Sequence, residues 1–187
     1  MPRLQAGSGS IVIDLPAVYL GLGSNLGDRE RNLSAALRRL EPLVRIEAVS
    51  SLYETDPVGP QDQPAYLNAC CRAVTGLQPR ALLRHLKEVE HELGRRDRTR
   101  WGPRPIDIDL LLYGDAMIDE DDLQVPHAEL PNRAFVLVPL AEVAADVRHP
   151  LLGRAIAELA GEVDRSGVRL RAEPGWEKRW PKVPARP

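Results

Sequence analysis

The chain of 187 residues has only two cysteines, Cys70 and Cys71, and they are adjacent. Neighbouring side chains on a strand point to opposite faces, so neither thiol has a distant partner within reach. That excludes a disulfide framework and a cysteine-based zinc site, and makes both thiols reduced core or sheet residues. No apolar run approaches the length of a membrane span, and residues 1–10 lack the apolar stretch of a secretory signal. A cytoplasmic protein is expected. The formal net charge of −2 carries no polyanion signature, so the expected partner is a small molecule, with no nucleic acid and no membrane. Internal repeats and low-complexity tracts are missing too. With 43% hydrophobic residues the chain can bury one core. The expectation is a single domain over 1–187 with its core at about 17–165, the ends 1–12 and 172–187 being peripheral.

What is present begins with Gly21-Leu22-Gly23-Ser24-Asn25-Leu26-Gly27-Asp28, at the end of a short apolar strand starting at Ala17. Its glycine spacing is one residue off the dinucleotide fingerprint, and no Lys-Ser or Lys-Thr follows, so it reads as a tight turn into a helix. Asp28 caps that helix, Leu33, Ala36, Leu37 and Leu40 form its apolar stripe, and Pro42 stops it. Residues 44–55 alternate as a strand. The Pro- and Gly-rich stretch 56–64 is a shaped loop, and a strand resumes over 66–75 with Tyr66, Asn68 and Cys70 on one face. Pro79 opens a second helix, striped by Leu82, Leu83, Leu86, Val89 and Leu93 and closed by Gly94. The order β-α-β-β-α-β predicts an α+β, ferredoxin-like fold: an antiparallel sheet with helices packed on one face.

The last strand of that series, 106–113, is aliphatic apart from Asp107 and Asp109. Alternation sets both aspartates on one face, with Ile106, Ile108, Leu110 and Leu112 on the other. Two strand residues separate the carboxylates by roughly 6.6 Å. At an effective dielectric near 20 they repel by about 2.5 kcal/mol, so a cation should offset them. Oxygen ligands suit a hard ion such as Mg²⁺, completed by water and phosphate. Directly upstream, Gly94 is followed by Arg95, Arg96, Arg98 and Arg100, with Arg104 close behind. Guanidinium groups bind phosphate bidentately and keep their charge. A paired-carboxylate strand beside an arginine loop suggests a metal–phosphate site. Two other users of this scaffold are weighed against it: a nucleotidyl-transfer palm, which usually draws its carboxylates from separate strands, and an RNA-binding module, which would need an aromatic run that is missing here.

Several segments resemble the 6-hydroxymethyl-7,8-dihydropterin pyrophosphokinases of folate biosynthesis. The resemblance rests on residues 22–27, on Tyr53-Glu54-Thr55 running into 58–68, on the Arg-Trp-Gly-Pro-Arg run 100–104 followed by Asp107 and Asp109, and on Val125-Pro126-His127 with Asn132-Arg133-Ala134-Phe135. It covers roughly 18–140. It implies transfer of the β,γ-pyrophosphoryl group of ATP to the pterin alcohol with release of AMP, and product passed on to the next pathway enzyme by hand-off only. It also implies that Asp107 and Asp109 hold two Mg²⁺ ions, with Arg95, Trp101 and Arg104 in a mobile catalytic loop. Glu90, Arg104, Ile108, Leu110, His127 and Arg133 would contact ATP. Thr55, Val58, Tyr66, Asn68, Trp101 and Phe135 would hold the pterin, its ring between Tyr66 and Phe135. Asp56, Lys87, Asp97, Asp122 and Ala128 depart from side chains common in the family at those positions.

Overall fold

The computed structural model describes residues 15–57, 63–96 and 102–179. The elements that carry the site run β1 (Ala17–Ser24), α1 (Arg29–Leu40), β2 (Val44–Val49), β3 (Leu52–Thr55), β4 (Tyr66–Thr75), α2 (Pro79–Glu92) and β5 (Asp107–Tyr113). A hairpin of β6 (Ile118–Glu120) and β7 (Leu123–Val125) follows, then α3 (Ala134–Ala144), α4 (Ile156–Glu162) and β8 (Val168–Ala172). The main sheet has the order β5-β1-β4-β3-β8, with β2 also paired to β4, and all of these pairings are antiparallel. A mixed α/β protein with an antiparallel sheet and packed helices is the class expected from the sequence.

Local chemistry explains where the elements start and stop. The Asp28 carboxylate accepts from the backbone N–H of Arg31 at 3.2 Å, satisfying a donor that the first turn of α1 leaves open. Pro79 sits in the first turn of α2, and Gly94 ends it at φ +91, a left-handed conformation that favours glycine. Leu33, Leu37 and Leu40 of α1 and Leu82, Leu86 and Val89 of α2 are buried against Leu20, Leu22, Leu67 and Ile108 of the sheet.

Four expectations are corrected. Helices cover both faces of the sheet, not one: α3 and α4 bury a second layer made of Tyr19, Cys70, Leu111, Leu112, Leu137, Leu140 and Ile156. The consecutive leucines of β5 could not be covered from one side only. The strand expected over 44–55 is interrupted at Ser50-Ser51. There the Ser50 N–H still donates to the Cys70 carbonyl at 2.9 Å, but the Ser50 hydroxyl accepts from the Cys70 N–H at 2.9 Å and the Ser51 N–H donates to the Glu142 carboxylate at 2.7 Å, so side chains take over part of the ladder. Leu112 lies in the α3-side layer and not with Ile108 and Leu110. The register passes from Tyr19↔Leu112 to Leu20↔Leu110, so Leu111 is an unpaired bulge that shifts the alternation.

The fourth correction concerns the C-terminal stretch, expected to be peripheral from 172. β8 pairs with β3, and Trp176 beyond it is fully buried. Its indole N–H donates to the Ser50 carbonyl at 2.9 Å, and the Ser34 hydroxyl donates to the Glu177 carbonyl at 2.7 Å. No periodicity announces this, because one aromatic anchor does the packing. The N-terminal 1–12 and residues 180–187 lie outside the described residues. Both cysteines are free and buried, on opposite faces of β4, and burial pushes the Cys71 thiol up to about 12. Trp176→Ala should lower unfolding free energy by about 3–5 kcal/mol in a urea titration. A loss below about 1 kcal/mol would show that the C-terminal stretch is dispensable.

Candidate active site

Two rows of residues cross the sheet on its α3 side. Asp107 on β5 pairs with Gly23 on β1, which pairs with Asn68 on β4; one step along, Asp109, Gly21 and Cys70 line up in the same way. The glycines keep the middle of each row empty. A Cβ on Gly23 would lie 3.0 Å from the Asn68 amide oxygen, and one on Gly21 would meet Leu111 at 3.4 Å. The result is an open cavity of about 330 Å³ with carboxylates on one flank and the amide of Asn68 on the other. Thr55, Tyr66, Asn68, Arg95, Arg104, Asp107, Asp109, His127, Arg133 and Phe135, all expected site residues, line it. Val58 and Trp101 lie outside the described residues.

The carboxylate flank is charge-balanced by arginine. Arg95 donates to one oxygen of Asp107, and Arg104 donates to the other at 3.0 Å. Asp109 has a different environment. Burial and the charge of Asp107 push its carboxyl above the usual range, while His127, Lys87 and Arg133 pull the other way. Its elevation is the like-charge repulsion anticipated from the Asp-x-Asp spacing, added to desolvation. The bulge at Leu111 has a use here: its carbonyl accepts the His127 backbone N–H at 3.0 Å, tying the segment that carries His127 to β5.

On the opposite flank the Asn68 amide donates to the Thr55 hydroxyl at 2.6 Å. The guanidinium of Arg133 sits 5.7 Å from the centroid of the Phe135 ring, a cation–π contact. A second cavity of about 350 Å³ adjoins the first, and Lys87, Asp109 and His127 line both. Ile108 and Leu110, expected to contact ATP, line this second cavity.

Glu90, also expected to contact ATP, is placed otherwise. It is buried and absent from the described lining of both cavities. One carboxylate oxygen, Oε1, accepts from the Ile108 backbone N–H at 2.6 Å, from Arg95 at 2.7 Å and from Lys87 at 3.0 Å. Burial raises its pKa, and those three donors hold it down. Glu90 therefore joins α2 to β5 between the two aspartates and grips an arginine that also grips Asp107.

The family model for 7,8-dihydro-6-hydroxymethylpterin-pyrophosphokinase (HPPK) matches residues 19–145. The chain belongs to the HPPK family. Among named relatives, the 2-amino-4-hydroxy-6-hydroxymethyldihydropteridine pyrophosphokinase of Aquifex aeolicus is 43% identical over 148 residues, 79% of this chain and 92% of that protein. The protein of the same name from Pseudomonas aeruginosa is 44% identical over 153 residues, 81% of this chain and 94% of that one. A folic acid synthesis protein of Dictyostelium discoideum is 41% identical over 135 residues, which is 72% of this chain but 20% of that longer protein. A Plasmodium falciparum HPPK-DHPS crystal structure superposes with a TM-score of 0.66 at 16% identity, covering 79% of this chain and 43% of the other, a likeness of fold.

Two further residues, one lining both cavities and one holding the segment that carries Arg104, adjoin the expected set. Lys87 stands where the two cavities join, although a lysine on an exposed helix face ordinarily signals nothing. Asn25, almost wholly buried, accepts from the Arg104 backbone N–H at 2.8 Å, and its own N–H donates to the Arg104 carbonyl at 3.2 Å. Its amide also donates to Gln63 at 3.3 Å, so one side chain links the segments before β4 and before β5. In the sequence Asn25 stands in the family-like run 22–27, directly after a strand end, but with no role attached to it. Glu90→Gln keeps an acceptor for Ile108 but removes the charge that holds Arg95. Charged hydrogen bonds contribute ~1.5–3 kcal/mol, so kcat should fall about ten- to a hundredfold, with a lowered melting temperature because Arg95 and Lys87 lose a buried anionic partner, and with a native circular dichroism spectrum. A pure rise in KM for ATP would instead mean a nucleotide contact.

Proposed function

We infer that the two joined cavities seat ATP and a pterin alcohol, and that the pterin oxygen attacks the β-phosphorus of ATP. The chain is a pyrophosphokinase of folate biosynthesis: it transfers the β,γ-pyrophosphoryl group of ATP to the hydroxymethyl group of 6-hydroxymethyl-7,8-dihydropterin and releases AMP. The observation that carries this reading is the cross-sheet row from Asp107 through Gly23 to Asn68. The carboxylates of Asp107 and Asp109 on one side of an open glycine floor and the amide of Asn68 on the other support this reading.

Tyr66 and Phe135 provide the aromatic surfaces for a flat heterocycle, and Asn68 with Thr55 pairs its polar edge. Val58 and Trp101, by family resemblance, complete the pterin side. His127, Arg133, Arg95 and Arg104 supply the positive charge that a triphosphate needs. The second cavity, with Ile108 and Leu110, receives the nucleoside, so the α-phosphate passes the junction at Lys87, Asp109 and His127.

Asp107 and Asp109 fit Mg²⁺. They are oxygen donors on one strand face, and burial, with the added charge of Asp107, raises the Asp109 carboxyl, a cost to the charged form that a divalent cation would offset. In this reading the pair holds two ions. When bound, Mg²⁺ neutralises phosphate oxygens during transfer. The protein itself contributes alignment of the alcohol with the β-phosphorus and fixed cations around the phosphates.

The connectivity supports a ferredoxin-like sheet, β2 and β3 counting as one strand interrupted at Ser50-Ser51. A single domain, a cytoplasmic location and passage of product to the next enzyme by diffusion complete the reading. No helix among the described residues is long and apolar enough to cross a membrane.

A mass-spectrometric assay with ATP, Mg²⁺ and 6-hydroxymethyl-7,8-dihydropterin should yield AMP and the pterin diphosphate; ADP or free pyrophosphate as first product would reject the reaction. Asp107→Ala and Asp109→Ala should each lower turnover by about a hundredfold or more while the protein stays folded by circular dichroism. Tyr66→Ala should raise KM for the pterin about tenfold and leave ATP binding, read by calorimetry, near that of the wild type. Weakened binding of both substrates would remove Tyr66 from the pterin face.

A further inference from the structure

The first helix opens on a charge that does not suit it. Arg29 is the first residue of α1, where open backbone N–H groups and the helix dipole favour anions. Its guanidinium reaches two acceptors on other elements instead. Nη1 donates to the Ala65 carbonyl at 2.6 Å, immediately before β4, and Nη2 donates to the Glu54 carboxylate on β3 at 2.9 Å. Both side chains are partly buried.

The two acceptors flank one ladder pair. β3 and β4 run together through Tyr53↔Asn68 and Glu54↔Leu67 to Thr55↔Tyr66, where their pairing ends. Glu54 precedes Thr55 and Ala65 precedes Tyr66, so one planar fork bridges the strands at the point where ladder bonds run out. Terminal pairs open at the least cost. This pair carries Thr55 and Tyr66 on the cavity wall, with Asn68 two residues further in and bonded to the Thr55 hydroxyl. Leu67, opposite Glu54, packs in the layer covered by α1 and α2, and alternation sets Glu54 on that same face. Arg29 therefore acts from behind the sheet, and it is not among the described lining residues of the cavity.

We propose that Arg29 is a positioning residue for the pterin. By clamping Ala65 to Glu54 it holds the Thr55↔Tyr66 pair closed, and with it the Tyr66 ring and the hydrogen-bonded Asn68 and Thr55 that meet the flat heterocycle. This rests on the reading of that wall as the pterin side.

The test measures kcat, KM for the pterin alcohol and calorimetric ATP binding in the wild type, Arg29→Ala, Arg29→Lys and Glu54→Gln, with amide hydrogen exchange over 53–55 and 66–68 in parallel. Arg29→Ala should raise KM for the pterin about tenfold, leave ATP binding within about twofold of the wild type, and speed exchange in those segments but not between β1 and β5. Arg29→Lys, whose ammonium lacks the planar fork, should fall between the two. Glu54→Gln keeps an acceptor and the Ala65 bond, and should raise the same KM by about two- to threefold. An unchanged pterin KM in Arg29→Ala overturns the proposal. So does an equal loss for both substrates with a lowered melting temperature, the signature of a tether for the whole fold. Should Arg29→Ala fail to fold, Arg29→Lys and Glu54→Gln decide by the same criteria. Tyr66→Ala, measured alongside, separates the two readings: a normal pterin KM in that variant rejects the pterin wall itself, whatever Arg29 does.

Discussion

Two carboxylates that must lie side by side, partly out of water, impose the main constraint on this molecule. Asp107 raises the pKa of the buried Asp109 carboxyl, and cationic side chains around the pair offset that repulsion. Arg95 and Arg104 neutralise Asp107, Glu90 holds Arg95 from behind and bonds the backbone of Ile108 between the aspartates, and Lys87 connects the same carboxylate to the second cavity. Five charged groups, Lys87 and Glu90 on α2, Arg95 and Arg104 before β5, and Asp107 on β5, form one network. Removing any one of them leaves a partner with excess charge in a half-dry site, where such charge is costly.

That network needs a floor without side chains. Gly21 and Gly23 provide it at the centre of the sheet, between the aspartates and Asn68, while Leu20 and Leu22 of β1 face α1 and α2. The second helical layer then serves two ends. It covers Tyr19, Cys70, Leu111 and Leu112, and it carries Phe135 to the cavity wall opposite the carboxylates. The bulge at Leu111 links the two functions, because it shifts a leucine into that layer and offers its carbonyl to His127.

Much of the site was legible because its chemistry is local. The Asp-x-Asp spacing on an aliphatic strand, the arginines after Gly94 and the shared strand face of Tyr66 and Asn68 follow from alternation and residue type alone. Asp28, Pro79 and Gly94 mark helix ends for reasons any short segment displays. What escaped was non-local. The break at Ser50-Ser51 depends on Cys70 and Glu142, the burial of Trp176 depends on a carbonyl 126 residues away, and the role of Glu90 depends on a strand packed across its helix.

The sequence by itself determined the candidate donor set, the order of strands and helices as far as β5, and the family, since each is written in short motifs and periodicities. Tertiary structure alone decided which donors point into a cavity and which into protein. Burial and hydrogen-bond satisfaction are properties of neighbours brought together from distant parts of the chain. Glu90 and Asp122 show the difference: two acidic residues of similar type, one sealed among three donors between α2 and β5, the other set on the wall of an open cleft.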